Sequence, residues 1–329
     1  CNELMDRGAI SMFGRGAKRR VATAFQEPTE QCQACGACAF VCPTGAIDLA
    51  TISARRLKPH VTGFDKYLSA RPCIDLAHPQ AAPRVPVIDR ESCVHFQTGE
   101  CGLCSKVCQA GAIDYEEPEQ TIRLEVGSVV LTPGFEAFDA TRRGEFGFGH
   151  SPNVLSNVQF ERMLSAAGPT GGHLRRPADG KAPKRLAFIQ CVGSRDHGCD
   201  NDYCSSVCCM AATKEAILAK EHEPGVEVTI FFTDLRAFGK DFDRYCERAK
   251  KLGVRYVRSF ISRLYEMPCS RNLGLVYASP EMKQTEEEFD MVVLSLGLEP
   301  SASVQEQAER LGVALNRWGF AATKEFQPL

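Results

Sequence analysis

Apolar runs and helical patterns alternate through the second half of the chain. The run KRLAFIQCV (184–192) predicts a buried strand, and the following MAATKEAILAKEH has apolar residues at helical spacing. Further strands are predicted at VEVTIFF, VRYVRSF, LGLVYAS and DMVVLSLG, and a further helix at DFDRYCERAKKLG. Strands that alternate with helices are typical of a nucleotide-binding α/β unit. We therefore predict a Rossmann-like domain over residues 184–300.

Two stretches before this unit have a weaker pattern. TIRLEVGSVVLTPGFEAFD (121–139) predicts two short strands followed by a turn, and VQFERMLSAAG predicts a helix. Residues 50–86 are rich in Pro, Ala and Arg and show no clear period. That composition indicates a connecting segment between domains.

The first turn of the Rossmann-like unit holds cysteines where a dinucleotide-binding unit would hold G-x-G-x-x-G. The stretch CVGSRDHGCDNDYCSSVCC carries only two glycines, and it ends in an adjacent cysteine pair. Two thiolates on one turn can reach different irons of a cubane, so we predict a [4Fe–4S] cluster here. Buried cysteines without a ligand are the alternative. The candidate ligands are Cys191, Cys204, Cys208 and Cys209.

Two more cysteine runs lie nearer the N-terminus. The first, C-x2-C-x2-C-x3-C-P, is the bacterial ferredoxin pattern for [4Fe–4S] clusters, and the second is C-x7-C-x2-C-x3-C. PTGAID follows the first run and QAGAID follows the second, a repeat that indicates a ferredoxin-like pseudo-duplicate. The candidate ligands are Cys32, Cys35, Cys38 and Cys42 in the first run, and Cys93, Cys101, Cys104 and Cys108 in the second.

Charge and cysteine content narrow the class of protein. The chain has 329 residues and a net charge of −2, which gives no electrostatic footprint for nucleic acid. Its 17 cysteines, at metal-ligand spacings and without a signal-peptide pattern, indicate thiolates in a reducing compartment. No apolar stretch reaches the ~18 residues that a membrane span needs, so we expect a cytoplasmic protein without a transmembrane segment. A zinc-stapled interaction module is the alternative of another class.

Four separated motifs, in order, resemble the A subunit of heterodisulfide reductase and its relatives. They are QCVGSRD, YCSSVCCMAATKEAIL, DLRAFGKDFDRYCERAKKLGVRYVRS and DMVVLSLGLEPS, and the resemblance covers roughly residues 83–329. It implies an α/β, thioredoxin-reductase-like domain with an inserted or appended α+β ferredoxin-like [4Fe–4S] domain, and bound FAD. It also implies that the four cysteines between 191 and 209 bind an unusual [4Fe–4S] cluster, while Cys199 has no assigned role.

The first 50 residues or so resemble instead the two-cluster ferredoxin segment of formate dehydrogenase and complex I large subunits. That resemblance implies that Cys1 completes a cluster with Cys32, Cys35 and Cys38, and that Cys42 serves ligands before residue 1, in a longer polypeptide. If the two runs of this chain pair with each other, they exchange Cys42 and Cys108, and Cys1 is left over. The spacing leaves both pairings open. An iron–sulfur subunit of a formate dehydrogenase or complex I-like enzyme is the corresponding alternative function.

Flavin contacts are implied by the resemblance alone. SVVLTPGF resembles a segment that ends in a turn near the flavin, although relatives have Ala-Thr-Gly where this chain has Thr-Pro-Gly. Lys214 is a candidate to favour the reduced flavin, or else a solvent-facing lysine. No G-x-G-x-x-G follows any predicted strand, so part of a flavin site is missing from this sequence. The candidate flavin residues are Thr132, Pro133, Gly134, Lys214, Leu296 and Gly297.

These observations predict an oxidoreductase subunit with about three or more [4Fe–4S] clusters, which passes electrons between the clusters and FAD. The resemblance implies flavin-based electron bifurcation, with heterodisulfide-reductase-like B and C subunits, hydrogenase or formate dehydrogenase modules, and ferredoxin as partners. We divide the chain into a ferredoxin-like segment (1–50), a connector (51–82), a second ferredoxin-like segment (83–116), flavin-domain strands with a connecting helix (117–183), the Rossmann-like domain (184–300) and a C-terminal segment (301–329).

Overall fold

The computed structural model describes residues 8–23, 38, 65–66, 68, 73–76, 80–91, 93–99, 101–118, 121–279 and 283–324. The chain divides into two compact units, Cys1–Glu125 and Val126–Leu329.

The described residues of the first unit include two short antiparallel strand pairs and two α-helices of five residues each. The first helix ends at Gly99, whose φ of +74° is a left-handed conformation that closes a helix. The second cysteine run therefore lies on single helical turns joined by a tight loop. The elements are β1 (Ser11–Phe13), β2 (Arg20–Ala22), β3 (Ile74–Asp75), β4 (Val87–Ile88), α1 (Val94–Thr98) and α2 (Leu103–Val107), with β1 paired to β2 and β3 to β4.

The second unit contains the longer strands and helices. In chain order they are β5 (Glu136–Ala137), β6 (Val154–Ser156), α3 (Asn157–Leu164), β7 (Arg185–Val192), α4 (Cys208–His222), β8 (Glu227–Phe232), α5 (Phe242–Lys251), β9 (Arg255–Arg258), β10 (Ile261–Glu266), β11 (Leu273–Ala278), β12 (Gln284–Phe289), β13 (Met291–Leu296), β14 (Leu298–Glu299) and α6 (Ala302–Leu311).

A five-stranded parallel sheet in the order β6–β13–β7–β8–β9 forms the centre of this unit. Helices α4 and α5 connect β7 to β8 and β8 to β9, which makes two successive βαβ crossovers. A separate antiparallel sheet, β10–β11–β12, interrupts the path from β9 to β13. This topology confirms the predicted Rossmann-like α/β class.

The parallel sheet buries both faces. One face, the core face, carries Ile189, Phe231 and Leu294, which pack with Leu275 and Phe289 of the antiparallel sheet in one buried cluster. The opposite face, the helix face, is covered by helices: the ring of Phe188 meets that of Phe160 in α3 edge-on, with ring centroids 5.5 Å apart. Strands buried on both faces read as continuous apolar runs, and this is why KRLAFIQCV was recognisable.

Several predicted elements need correction. The two short strands predicted within residues 121–135 are wrong: in this described stretch the backbone is irregular, and only β5 follows it. Its apolar side chains are exposed, Ile122 by 74% and Val130 by 83%. A strand needs a neighbouring strand for its hydrogen bonds, and the described residues supply none here. The patterns also missed β10 and β12, because strands with charged, exposed positions give no apolar run.

The described helices are all too short or too polar to cross a membrane.

Candidate iron–sulfur centres

The chain turns sharply at the carboxyl end of β7, where the first candidate ligand lies. The register between β7 and β13 shifts there: Leu294 is opposite Ile189, but Leu296 is opposite Val192, so β7 has one extra residue. Cys191 itself has a φ of +62°. Such a β-bulge redirects side chains. Strict alternation would put Cys191 on the core face with Ile189, but Val192 takes that place.

The bulge leaves Cys191 free to meet the cysteines near the start of α4. Cys204 interacts electrostatically with Cys191, Cys208 and Cys209. Cys208 also interacts with Cys191 and Cys209, and Cys191 interacts with Cys209. Cys208 is the first residue of α4, where unpaired backbone N–H groups and the helix dipole favour negative charge. The structure therefore brings together the four cysteines that the sequence predicted as one ligand set.

Burial dominates the acidity of these thiols. Cys208 is only 7% exposed, and burial, followed by the neighbouring Cys191, Cys209 and Cys204, raises the pKa of its thiol to about 12. Burial likewise raises the pKa of the Cys191 and Cys209 thiols. Without a ligand these groups stay protonated at neutral pH. A bound metal deprotonates its thiol ligands, so buried thiols that meet at one place fit a cluster.

A [4Fe–4S] cluster distributes its four thiolates over different irons, so its ligands lie farther apart than those of a single ion. In the described part of the chain, no group of three or more His, Cys, Asp or Glu side chains is placed to bind one metal ion.

The loop that carries the cysteines is conformationally constrained. Cys191, Arg195, Asp200 and Ser206 all have φ near +60°, a region that residues other than glycine seldom adopt. The loop is held by backbone hydrogen bonds from Arg195 N–H to the Tyr203 carbonyl (2.8 Å) and between Asp196 and Asn201. Strained backbone is retained where the surroundings fix it, commonly at functional sites. Here it fixes the direction of the cysteine side chains.

Hydrogen-bonding groups surround the sulfurs. The Cys208 thiol donates to the Leu296 carbonyl (3.4 Å), and the Cys209 thiol donates to the Asp234 carbonyl (3.6 Å). The Ser206 N–H donates to the Cys204 sulfur (3.4 Å), and the Arg236 N–H donates to that of Cys209. Hydrogen bonds to sulfur are among the means by which a protein sets a cluster's reduction potential.

Close backbone packing supports this loop from the neighbouring strand. A Cβ on Gly297 would lie 2.4 Å from the Gly193 carbonyl oxygen, and one on Gly193 would lie 2.0 Å from the Phe138 ring. Phe138 is buried, and its N–H donates to the Gly297 carbonyl (2.9 Å). The candidate flavin residues Leu296 and Gly297 thus contact the cysteine loop. Their flavin role stays a prediction.

The other candidate flavin residues lie apart from this loop. Lys214 is partly exposed and forms a 2.6 Å ion pair with Glu161 of α3. It is therefore not simply a solvent-facing lysine beside Glu215. Thr132, Pro133 and Gly134 are exposed in the irregular stretch before β5, and Gly134 has a φ of +74°. Whether these four residues contact a flavin stays a prediction.

Glu215 is a feature that the sequence patterns did not single out. It lies on α4 with no exposed surface, and neither carboxylate oxygen has a hydrogen-bond partner among the described residues. Burial, and then Glu161, raises the pKa of Glu215 well above its ordinary value. A buried carboxyl without partners avoids the cost of charge by staying protonated.

A cleft of about 370 Å³ opens at the carboxyl ends of β7, β8 and β9. Its lining includes Cys191, Arg195, Phe232 and Ser259. In open α/β sheets, ligands bind outside the carboxyl ends of the strands. The cysteine loop therefore occupies the position where a dinucleotide phosphate would lie in a Rossmann domain.

In the first unit, Cys93 and Cys104 of the second run lie together. Both influence Cys73 and Tyr115, and the Cys104 sulfur lies 2.7 Å from the Tyr115 hydroxyl. The sulfur of Cys108 accepts the Ala112 N–H (3.4 Å) in the turn after α2. Cys101 contributes its carbonyl oxygen, 2.5 Å from the His95 ring.

Cys73, which has no partner at ligand spacing in the sequence, also lies near the second run. β3 and β4 place it beside Asp89, whose N–H donates to the Cys73 carbonyl (2.8 Å), and its thiol contacts Cys93. Burial, and then Cys93, raises the pKa of Cys73 to about 12. Only the pairing of β3 with β4 brings this cysteine to the second run.

Of the first run, Cys38 is described, in a helical conformation and partly exposed. Cys1, Cys32, Cys35 and Cys42 lie outside the described residues.

The remaining cysteines differ from the ligand candidates. Cys199 is buried near Asp196 and Arg143, with burial raising the pKa of its thiol. Cys246 is buried on α5, where its thiol donates to the Met210 sulfur (3.9 Å), and Cys269 is exposed. Every cysteine in the described ranges is free of disulfides.

Fold and site together define an iron–sulfur protein built on a Rossmann-like domain. Residues 28–48, which include the first cysteine run, match the 4Fe-4S binding domain family. The chain is 41% identical over 299 residues to the iron–sulfur A subunit of CoB–CoM heterodisulfide reductase from Methanocaldococcus jannaschii, a match that covers 90% of this chain and 42% of that protein. It is 41% identical over 301 residues to the A subunit of the H2/formate:CoB–CoM heterodisulfide, ferredoxin reductase from Methanococcus maripaludis, covering 91% and 43%.

The chain therefore belongs to the family of heterodisulfide reductase iron–sulfur A subunits. It spans about two fifths of the length of these two relatives. The A subunit of the ferredoxin:CoB–CoM heterodisulfide reductase from Methanosarcina mazei is 43% identical over 238 residues, 72% of this chain and 29% of that protein. Among solved structures, thioredoxin reductase of Lactococcus lactis aligns with 55% of this chain and 46% of that protein at 16% identity, with a TM-score of 0.32. So low a score adds nothing to what the sheet topology shows.

Proposed function

We propose that this chain is an electron-carrying part of a heterodisulfide-reductase-like complex in the cytoplasm. The observation that carries the proposal is the meeting of four buried or partly buried thiols at the carboxyl end of the parallel sheet, in the place of a dinucleotide phosphate site. A [4Fe–4S] cluster supplies a one-electron carrier when bound. Cys191, Cys204, Cys208 and Cys209 would hold it, and the constrained loop, which packs on Phe138 at Gly193, would fix the ligands.

The two ferredoxin-like runs would hold two more clusters. The match with the Methanococcus maripaludis protein leaves no more than about 30 residues of this chain uncovered, so it includes Cys35, Cys38 and Cys42. This supports a first run that belongs to the same protein family as the rest. The repeat of Gly-Ala-Ile-Asp after both runs supports the pairing in which Cys42 and Cys108 are exchanged. The predicted domain boundaries would then group residues 1–50 and 83–116 as two halves of one ferredoxin-like domain.

FAD would bind a site to which this chain contributes only part. The support is the family resemblance over residues 128–135 and 290–301. Residues near Thr132 are exposed and have no strand partner among the described residues. The partners we propose are heterodisulfide-reductase-like B and C subunits, hydrogenase or formate dehydrogenase modules, and ferredoxin, in a flavin-based bifurcating complex. Some of the relatives carry ferredoxin in their names.

The test is anaerobic quantification of iron, acid-labile sulfide and extracted flavin on the full chain and on Cys208→Ser. We expect about twelve irons with matching sulfide, and a loss of about four in the variant, because one cubane loses a buried ligand. Cys269→Ser, which removes an exposed thiol, is the matched control and should keep all the iron. Zinc without sulfide, or full iron in Cys208→Ser, would refute the proposal.

The flavin contribution of Lys214 has a separate test. In a flavin-loaded complex, Lys214→Ala should shift the flavin potential because it removes a cation near the reduced ring. Lys181→Ala, at a side chain 77% exposed, is the control. An unchanged potential in Lys214→Ala would limit this residue to its ion pair with Glu161.

A further inference from the structure

Arg195 links the cysteine loop to the end of β8. Its backbone, with φ of +59°, directs the side chain back across the strand ends, where Nη2 forms a 2.9 Å ion pair with Asp234. Arg195 and Cys191 line the same cleft, and the guanidinium acts electrostatically on Cys191 and on Cys209. One side chain therefore acts on two predicted cluster ligands.

The other terminal nitrogen of Arg195 is a buried donor without an aligned acceptor. Nη1 makes no hydrogen bond of good geometry within the described residues, which costs free energy for a charged donor. Nη1 of Arg195 therefore has an N–H to donate near Cys191. A thiolate or a cluster sulfide at that place would accept it.

Asp234, the ion-pair partner of Arg195, makes two further contacts. Its second carboxylate oxygen accepts from Arg258 (3.3 Å), whose Nε also donates to the Thr233 carbonyl (2.8 Å). Its backbone carbonyl accepts the Cys209 thiol. The ion pair of Arg195 with Asp234 thus connects the loop near Cys191 to the residue whose carbonyl accepts the Cys209 thiol.

We propose that Arg195 is a positioning residue which donates Nη1–H to sulfur at Cys191 in the loaded site and raises the reduction potential of that cluster, with Asp234 orienting the guanidinium. The inference rests on the proposed function. Reduction adds negative charge to the cluster, and a charge-assisted hydrogen bond stabilises the more negative state. Neither residue is a metal ligand, so iron content should not depend on them.

The test is a potentiometric titration of the full chain with its clusters, followed by electron paramagnetic resonance. The signal of the cluster in question is identified as the one absent from Cys208→Ser. In Arg195→Gln we expect the ratio of reduced to oxidised cluster at a fixed potential to fall at least tenfold, about 59 mV for a one-electron couple. Asp234→Asn should shift the potential in the same direction by less, and Arg195→Lys should restore part of it.

The control is Arg310→Gln, which removes the same charge from a side chain on α6 that pairs with Glu306; we expect no shift. An unchanged potential in Arg195→Gln with full iron would overturn the inference. If Arg195→Gln lost iron, the potentials of Arg195→Lys and Asp234→Asn would be the test instead. Unchanged cluster potentials in both of these variants would overturn the inference. Failure of the proposed function would show differently, as full iron in Cys208→Ser or as zinc without sulfide in the unmodified chain.

Discussion

The two described cysteine regions reach a common chemistry by different routes. Cys93, Cys101, Cys104 and Cys108 lie within 16 consecutive positions, in or next to two five-residue helices and the loop between them, so their arrangement is largely local. Cys191 and Cys209 lie at opposite ends of a loop, on a strand and a helix that only the parallel sheet holds together. A local site depends on chain spacing. The site at Cys191 depends on a fold, and changes far from any cysteine should affect it.

The largest effect that separates the two regions should come from Phe138→Ala. Removing a fully buried ring that lies against Gly193 should lower the free energy of unfolding of the second unit by about 3–5 kcal/mol. The cluster at Cys208 should be lost, with about four irons, while the ferredoxin-like runs keep theirs. Anaerobic urea unfolding and iron analysis measure both. Phe238→Ala, at a ring 72% exposed, should change neither. Equal loss of iron from both regions would break the comparison.

A smaller effect is expected from Gly297→Ala. The new Cβ would meet the Gly193 carbonyl at 2.4 Å, and overpacking of this kind costs about 1–3 kcal/mol. Because the backbone of the cysteine loop must move, the cluster signal of this site should broaden or shift in electron paramagnetic resonance. Gly225→Ala, where a Cβ meets nothing within 4 Å, is the matched control. Identical spectra and stability for both variants would contradict the close approach.

Glu215→Gln sharpens the comparison through pH. The pKa of Glu215 in the folded chain is raised by burial and then by Glu161, with Lys214 opposing, above an ordinary value of 4.5. Its contribution to stability is therefore fully present below pH 4.5 and is lost as pH rises through the folded pKa. A glutamine stays neutral, so the unfolding free energy of the variant relative to the parent should grow as pH rises.

The measurement is urea unfolding of the second unit, followed from about pH 4, near the ordinary carboxyl pKa, up to about pH 8. Glu309→Gln, on the exposed face of α6, is the control and should show no such trend. A difference between Glu215→Gln and the parent that does not vary with pH would mean that Glu215 ionises normally.

The smallest effect is expected from Cys73→Ser. This thiol contacts Cys93 but lacks ligand spacing, so we expect full iron content and at most a small spectral change at the second run. Cys93→Ser, in comparison, should lose about four irons. Loss of iron from Cys73→Ser would make Cys73 a ligand and would show that tertiary contacts complete the local site too.

Much of the fold was readable because the central strands are buried on both faces. KRLAFIQCV and DMVVLSLG gave continuous apolar runs, and MAATKEAILAKEH gave a helix that begins two residues earlier, at Cys208. The strands predicted at 121–135 were wrong because apolar residues alone do not supply a partner strand. β10 and β12 were missed because their exposed sides carry charge.

The sequence by itself determined the identity and spacing of the candidate ligands, since spacing along one helical turn or tight loop is a local property. Only the tertiary structure decided which way Cys191 points, because the bulge against β13 reverses its side chain relative to the strand. It also decided that Gly297 approaches Gly193, that Arg195 bridges Cys191 to Asp234, and that Cys73 meets Cys93. Each of these contacts joins residues from different strands or loops, and their distance is set by hydrogen bonds between strands rather than by the chain between them.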